Sequence, residues 1–69
     1  MDQKKIGAFI AQCRKEKSLT QIQLAELLDI TNQAVSKWES GASAPSTTNL
    51  IALAKLFNMT PEDLLKEAQ

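Results

Sequence analysis

Asn32, Gln33, Ser36 and Lys37 bring two amides, a hydroxyl and an ammonium close together in the chain. Each amide presents a donor and an acceptor side by side, the hydroxyl offers both on one oxygen, and the ammonium is a donor-only point charge. That chemistry recognises polar edges by hydrogen bonding and does not break bonds. A nucleophile needs a base within reach, yet the chain has no histidine, a single cysteine (Cys13) and no cofactor-cradling glycine loop. Glu62 and Asp63 are adjacent acids, and neighbours on a helix diverge by about 100°, so they do not converge on one reacting atom. One cysteine without histidine also leaves no zinc-ligand set. Neither an enzyme nor a cofactor or metal is expected.

The spacing of the four polar residues predicts a helix from about Asn32 to Ser40. At about 100° per residue they cover an arc of roughly 140°, and Ala34, Val35 and Trp38 lie opposite, so one face suits a core and the other a partner. Thr31 is its N-cap candidate and Gly41 its C′ residue. A second helix from Gln21 to Leu28 precedes it, opened by a Thr20-x-x-Gln23 capping box and joined to it through a tight Asp29-Ile30 turn. A first helix from about Lys4 to Lys17 carries Ile6, Phe9, Ile10 and Cys13 as its buried stripe. After a loop from Ala42 to Pro45, Ser46 or Thr47 caps a fourth helix lined by Leu50, Leu53, Ala54 and Phe57, and Asn58 closes it. Thr60-Pro61-Glu62-Asp63 starts a short fifth helix with Leu64 and Leu65. No segment alternates with period two, so the expected fold class is all-α.

Arg14, Leu19-Thr20-Gln21, Leu24-Ala25, Ala34 to Glu39, Gly41, Pro45, Leu53-Ala54 and Leu64-Leu65, in this order and spacing, resemble the lambda and 434 repressor-like helix-turn-helix family, the Cro/C1 or XRE type. The resemblance covers about residues 4 to 66. It implies a compact five-helix bundle whose second and third helices form the helix-turn-helix, with the third in the major groove of double-stranded DNA. It further implies base-reading roles for Asn32, Gln33, Ser36 and Lys37. Asn and Gln amides match adenine N6/N7 and Lys donates to guanine O6/N7, although any solvated helix face also shows polar residues. Gln21, with Thr20, is implied to hold a phosphate at the start of the second helix. Arg14 and Glu39 are implied to pair between the first helix and the end of the third. Trp38, on the Val35 side, is expected to be core with its indole N–H at the edge, and Cys13 to be a small buried hydrophobe.

Sixty-nine residues allow a single domain, 1–69, with one small core. Its formal net charge of zero is unusual for a DNA-binding domain. The first twenty residues, however, hold five basic side chains (Lys4, Lys5, Arg14, Lys15, Lys17) against Asp2 and Glu16, a balance of +3. Three features depart from the family pattern. Asp29 replaces a usual glycine. The segment Ala42 to Thr48 has no lysine or arginine, leaving backbone amides and hydroxyls such as that of Ser43 for phosphate contact, so a shallow salt dependence is expected. Ile22 and Leu27 stand where polar residues are common. The longest apolar run, Leu50 to Ala54, is far too short to cross a bilayer, and a cytoplasmic protein, nucleoid-associated when bound, is expected. The reading is therefore sequence-specific DNA binding by a prokaryotic or phage transcriptional regulator, as a homodimer on its operator. A further C-terminal region or protein partner is open. The alternative is a protein-interaction module, such as an antitoxin or antirepressor, on the same fold.

Overall fold

The computed structural model describes residues 2–69 as five helices: α1 (Gln3–Glu16), α2 (Gln21–Leu28), α3 (Asn32–Ser40), α4 (Thr47–Leu56) and α5 (Pro61–Lys66). There is no strand among the described residues. Side-chain oxygens cap every start. Asp2 accepts from the amides of Lys4 and Lys5, Thr20 from Gln23, Thr31 from Ala34, Ser46 from Asn49 and Thr60 from Asp63. Each such cap stabilises its helix by about 1 kcal/mol. Asp2 explains why α1 begins at Gln3 instead of Lys4, and Lys17 becomes its C-cap instead of its last turn. Left-handed residues end the turns: Ser18 (φ 58°), Asp29 (φ 57°) and Asn58 (φ 58°), with Gly41 at φ 82°. At Asp29 the short polar side chain tolerates a conformation that costs most residues about 1–2 kcal/mol.

The core draws on all five helices. Ile6, Ile10, Leu24, Val35, Leu53 and Leu64 are fully buried, each worth about 1.5–3 kcal/mol relative to exposure. Trp38, Phe57, Leu50, Ala25, Cys13 and Ala68 complete the cluster, while Phe9 packs on it half-buried. Leu65, one step round α5 from Leu64, remains exposed. The main layer is α1 on α3, with α2 beside α3 and α5 on α4. The ends of the described chain meet, the Asp2 amide donating to the Ala68 carbonyl at 2.8 Å and Lys5 Nζ to that of Gln69 at 2.8 Å.

Candidate nucleic-acid interface

Helix α3 is held from behind by α1. A Cβ on Gly7 would lie 2.0 Å from the Trp38 carbonyl oxygen, so α1 touches the α3 backbone directly and only glycine permits that distance. Val35 and Trp38 fill the core beneath, Trp38 being 4% exposed. Among the described residues, no buried side-chain N or O lacks a partner. The tryptophan indole N–H, which makes no hydrogen bond within the described residues, therefore sits at the rim. With its inner face fixed in this way, α3 presents Asn32, Gln33, Ser36 and Lys37 together, all four exposed on the opposite side. Their side-chain donors and acceptors have no partner within the described residues. The cluster is a small, rigidly mounted hydrogen-bonding surface.

A charged brace locks the far end of α3. Arg14 Nε donates to Glu39 Oε2 at 2.7 Å and Nη2 to Oε1 at 3.0 Å, a bidentate pair, while Nη1 donates to the Leu19 carbonyl at 2.7 Å. The side chains are only 11% and 8% exposed. The hydrogen bond to Glu39, opposed by burial and reinforced by the carboxylate's charge, raises the Arg14 guanidinium above its ordinary pKa, so the guanidinium stays protonated. Gln21 joins it, with Nε2 donating to Glu39 Oε1 at 3.0 Å. One carboxylate thereby ties together α1, α2 and α3.

This engagement narrows what Gln21 and Thr20 offer to an anion. One hydrogen of the Gln21 amide nitrogen is committed to Glu39, leaving the second. Thr20 Oγ1 accepts from the Gln23 amide at 3.0 Å, and Gln23 Oε1 accepts from the Thr20 amide at 2.8 Å, so Thr20 keeps only its hydroxyl hydrogen. The backbone N–H groups of Gln21 and Ile22, in the first turn of α2, are uncapped. In the loop after α3 the Ser43 amide is already spent on the Lys37 carbonyl at 3.3 Å, and Ser46 Oγ on the Asn49 amide at 3.3 Å. The Ser43 hydroxyl and the hydroxyl hydrogen of Ser46, whose oxygen only accepts, remain there for another molecule. Sequence reasoning missed Gly7 and the Gln21 to Glu39 bond, because both join residues far apart in the chain. A glycine inside a well-patterned α1 was the one visible signal.

Comparison with known proteins fits this arrangement. A helix-turn-helix family profile matches residues 10–64. Over 56 residues the chain is 45% identical to the HTH-type transcriptional activator BcrR of Enterococcus faecalis, covering 81% of this chain and 28% of that protein. Over 60 residues it is 42% identical to the HTH-type transcriptional regulator DicA of Escherichia coli strain K12, covering 87% and 44% respectively. The chain thus spans less than half the length of both regulators. The crystal structure of the P22 c2 repressor protein in complex with a synthetic operator superposes with a TM-score of 0.83 at 34% identity, covering 90% of this chain and 94% of that one.

Proposed function

This chain belongs to the Cro/C1 (XRE) type of the helix-turn-helix family, and on that premise we propose that it is the sequence-specific, double-stranded DNA-reading head of a prokaryotic or phage transcriptional regulator. Its role is binding, not catalysis. Helix α3 enters the major groove, which admits one helix and displays a distinct donor and acceptor pattern for each base pair. Asn32, Gln33, Ser36 and Lys37 read base edges. The uncapped amides of Gln21 and Ile22, the remaining Gln21 amide hydrogen and the hydroxyls of Thr20 and Ser43 meet phosphates and set register. The observation that carries this reading is that the side chains of Asn32, Gln33, Ser36 and Lys37 are exposed on one face of α3 and unpartnered among the described residues while its other face is locked to α1. Two copies on a two-fold operator supply the affinity one small head lacks.

Selection of bound sequences from a random duplex pool tests the reading. Enrichment of a motif, with Gln33→Ala and Lys37→Ala each losing preference at particular base pairs, is the expected outcome. Failure of the folded protein to enrich any motif at moderate salt would reject it. The second reading, a protein-binding module, would then lead. It draws on the 59% and 60% exposure of Ile22 and Leu27, both on α2, and on the zero net charge.

A further inference from the structure

The segment after α3 carries no cation of its own, but the fold delivers one to it. A Cβ on Gly41 would lie 2.8 Å from Lys4 Cγ and 3.2 Å from Lys4 Cα. The first turn of α1 is therefore laid across the point where α3 ends and the loop begins, with the aliphatic stem of Lys4 against Gly41. Other basic side chains of the N-terminal half are spent or elsewhere. Arg14 is locked to Glu39, and Lys5 Nζ donates to the Gln69 carbonyl at 2.8 Å. Lys15 and Lys17 stand at the opposite end of α1. Lys4 is exposed, and its ammonium has neither a hydrogen bond nor an ion pair among the described residues.

We infer that Lys4 is a phosphate-binding residue, supplying from α1 the charge that the loop from Ala42 to Thr48 lacks. The inference rests on the DNA-binding reading above. When the exposed face of α3 lies in the major groove, its C-terminal end runs toward the strand bordering that groove, which is about 12 Å wide. A cation mounted beside Gly41 then faces the phosphates of that strand. Gly41 is required twice over, for its φ of 82° and because a side chain there would displace Lys4. The ammonium reads no base. It neutralises one phosphate and releases its counterion.

The salt dependence of binding to the selected duplex, measured for the wild type, Lys4→Gln, Lys4→Arg and Lys5→Gln, tests this. Lys5→Gln removes the same charge one residue away, from a side chain tied to the C-terminal end. Loss of one phosphate contact should reduce the slope of log K against log salt by about 1 in Lys4→Gln, weaken binding similarly across related sequences, and leave the slope intact in Lys4→Arg and Lys5→Gln. Two results would overturn it. An unchanged slope in Lys4→Gln, with a lowered melting temperature, would make Lys4 merely a partner of the α3 C-terminal dipole. An equal drop in Lys5→Gln would make the effect one of net charge. Should Gln33→Ala still alter base preference in either case, the DNA-binding reading stands and only the role of Lys4 falls. A folded wild type that binds no duplex removes both.

Discussion

Glu39 lies where three helices meet, and its carboxylate oxygens accept three hydrogen bonds from two residues. Taking an ion pair out of water offsets most of its Coulomb attraction, so the pair adds register between α1 and α3 more than net stability. Breaking it is another matter. Arg14→Ala leaves a nearly buried carboxylate with only Gln21 as donor and strips the Leu19 carbonyl of its partner. We expect a loss of about 3 kcal/mol, which in a domain of this size lowers the melting temperature by more than about 10 °C. Affinity corrected for the folded fraction should change far less, and an unchanged melting temperature would remove the brace from the account. Cys13 poses a simpler case. Burial, with Glu16 and Glu67 adding to it, pushes its thiol above the ordinary value, so little thiolate forms at neutral pH. Labelling by a thiol reagent at pH 7.5 should be slow in the native protein and fast in denaturant. Equal rates would show that the α1 stripe opens freely.

At the scale of elements, the decisive contact is α1 against α3 at Gly7. A methyl group placed 2.0 Å from a backbone oxygen cannot be absorbed by a side-chain rotamer, so the helices must part. Gly7→Ala should cost about 2 kcal/mol or more even though alanine is the better helix former. A thermal melt equal to or above that of the wild type would mean that α1 sits farther out. The start of α5 has its own signature. The Thr60 backbone and hydroxyl bonds hold the Asp63 carboxyl below its ordinary pKa. A carboxyl lowered in the folded state contributes stability above its unfolded value of about 3.9, and that contribution disappears as pH falls through the lower folded value. Between pH 5 and pH 2 the wild type should therefore lose more melting temperature than Asp63→Ala, and parallel losses would argue that the capping box is not formed in solution. These elements differ in how visible they are in the chain. Caps and turns such as Thr20 with Gln23, Thr60 with Asp63, Asp29 and Asn58 are local, so residue type and spacing announce them and place five helices nearly to the residue. Gly7 against Trp38, Lys4 beside Gly41, and the Gln21 bond to Glu39 depend on how helices cross. No local pattern encodes that. The exposed face of α3 was legible by periodicity alone, while the partial commitment of Gln21 and Ser43 to the protein's own groups was not.

At the scale of the whole molecule, the proposed reading head has zero net charge and a core of about a dozen side chains, so a single copy is expected to bind DNA weakly. Long-range attraction to DNA is slight, and most contacts assigned to phosphates come from neutral groups, with Lys4 the charged exception. Useful affinity must then come from geometry. Two copies joined through a dimer, or through further parts of a longer protein, gain avidity only if both α3 helices meet the same face of the duplex about one helical turn apart, 10–10.5 base pairs between half-site centres. Inserting about five base pairs between the half-sites rotates one of them to the opposite face, and affinity should drop roughly 100-fold or more. Restoring a full turn should recover part of it if the connection between copies is flexible and none if it is rigid. Titrations of the palindrome, the half-turn insertion, the full-turn insertion and a lone half-site separate these outcomes. A lone half-site bound as tightly as the palindrome would mean that one copy suffices, and the neutral charge and charge-poor loop would then have to be outweighed by the base contacts of Asn32, Gln33, Ser36 and Lys37 alone.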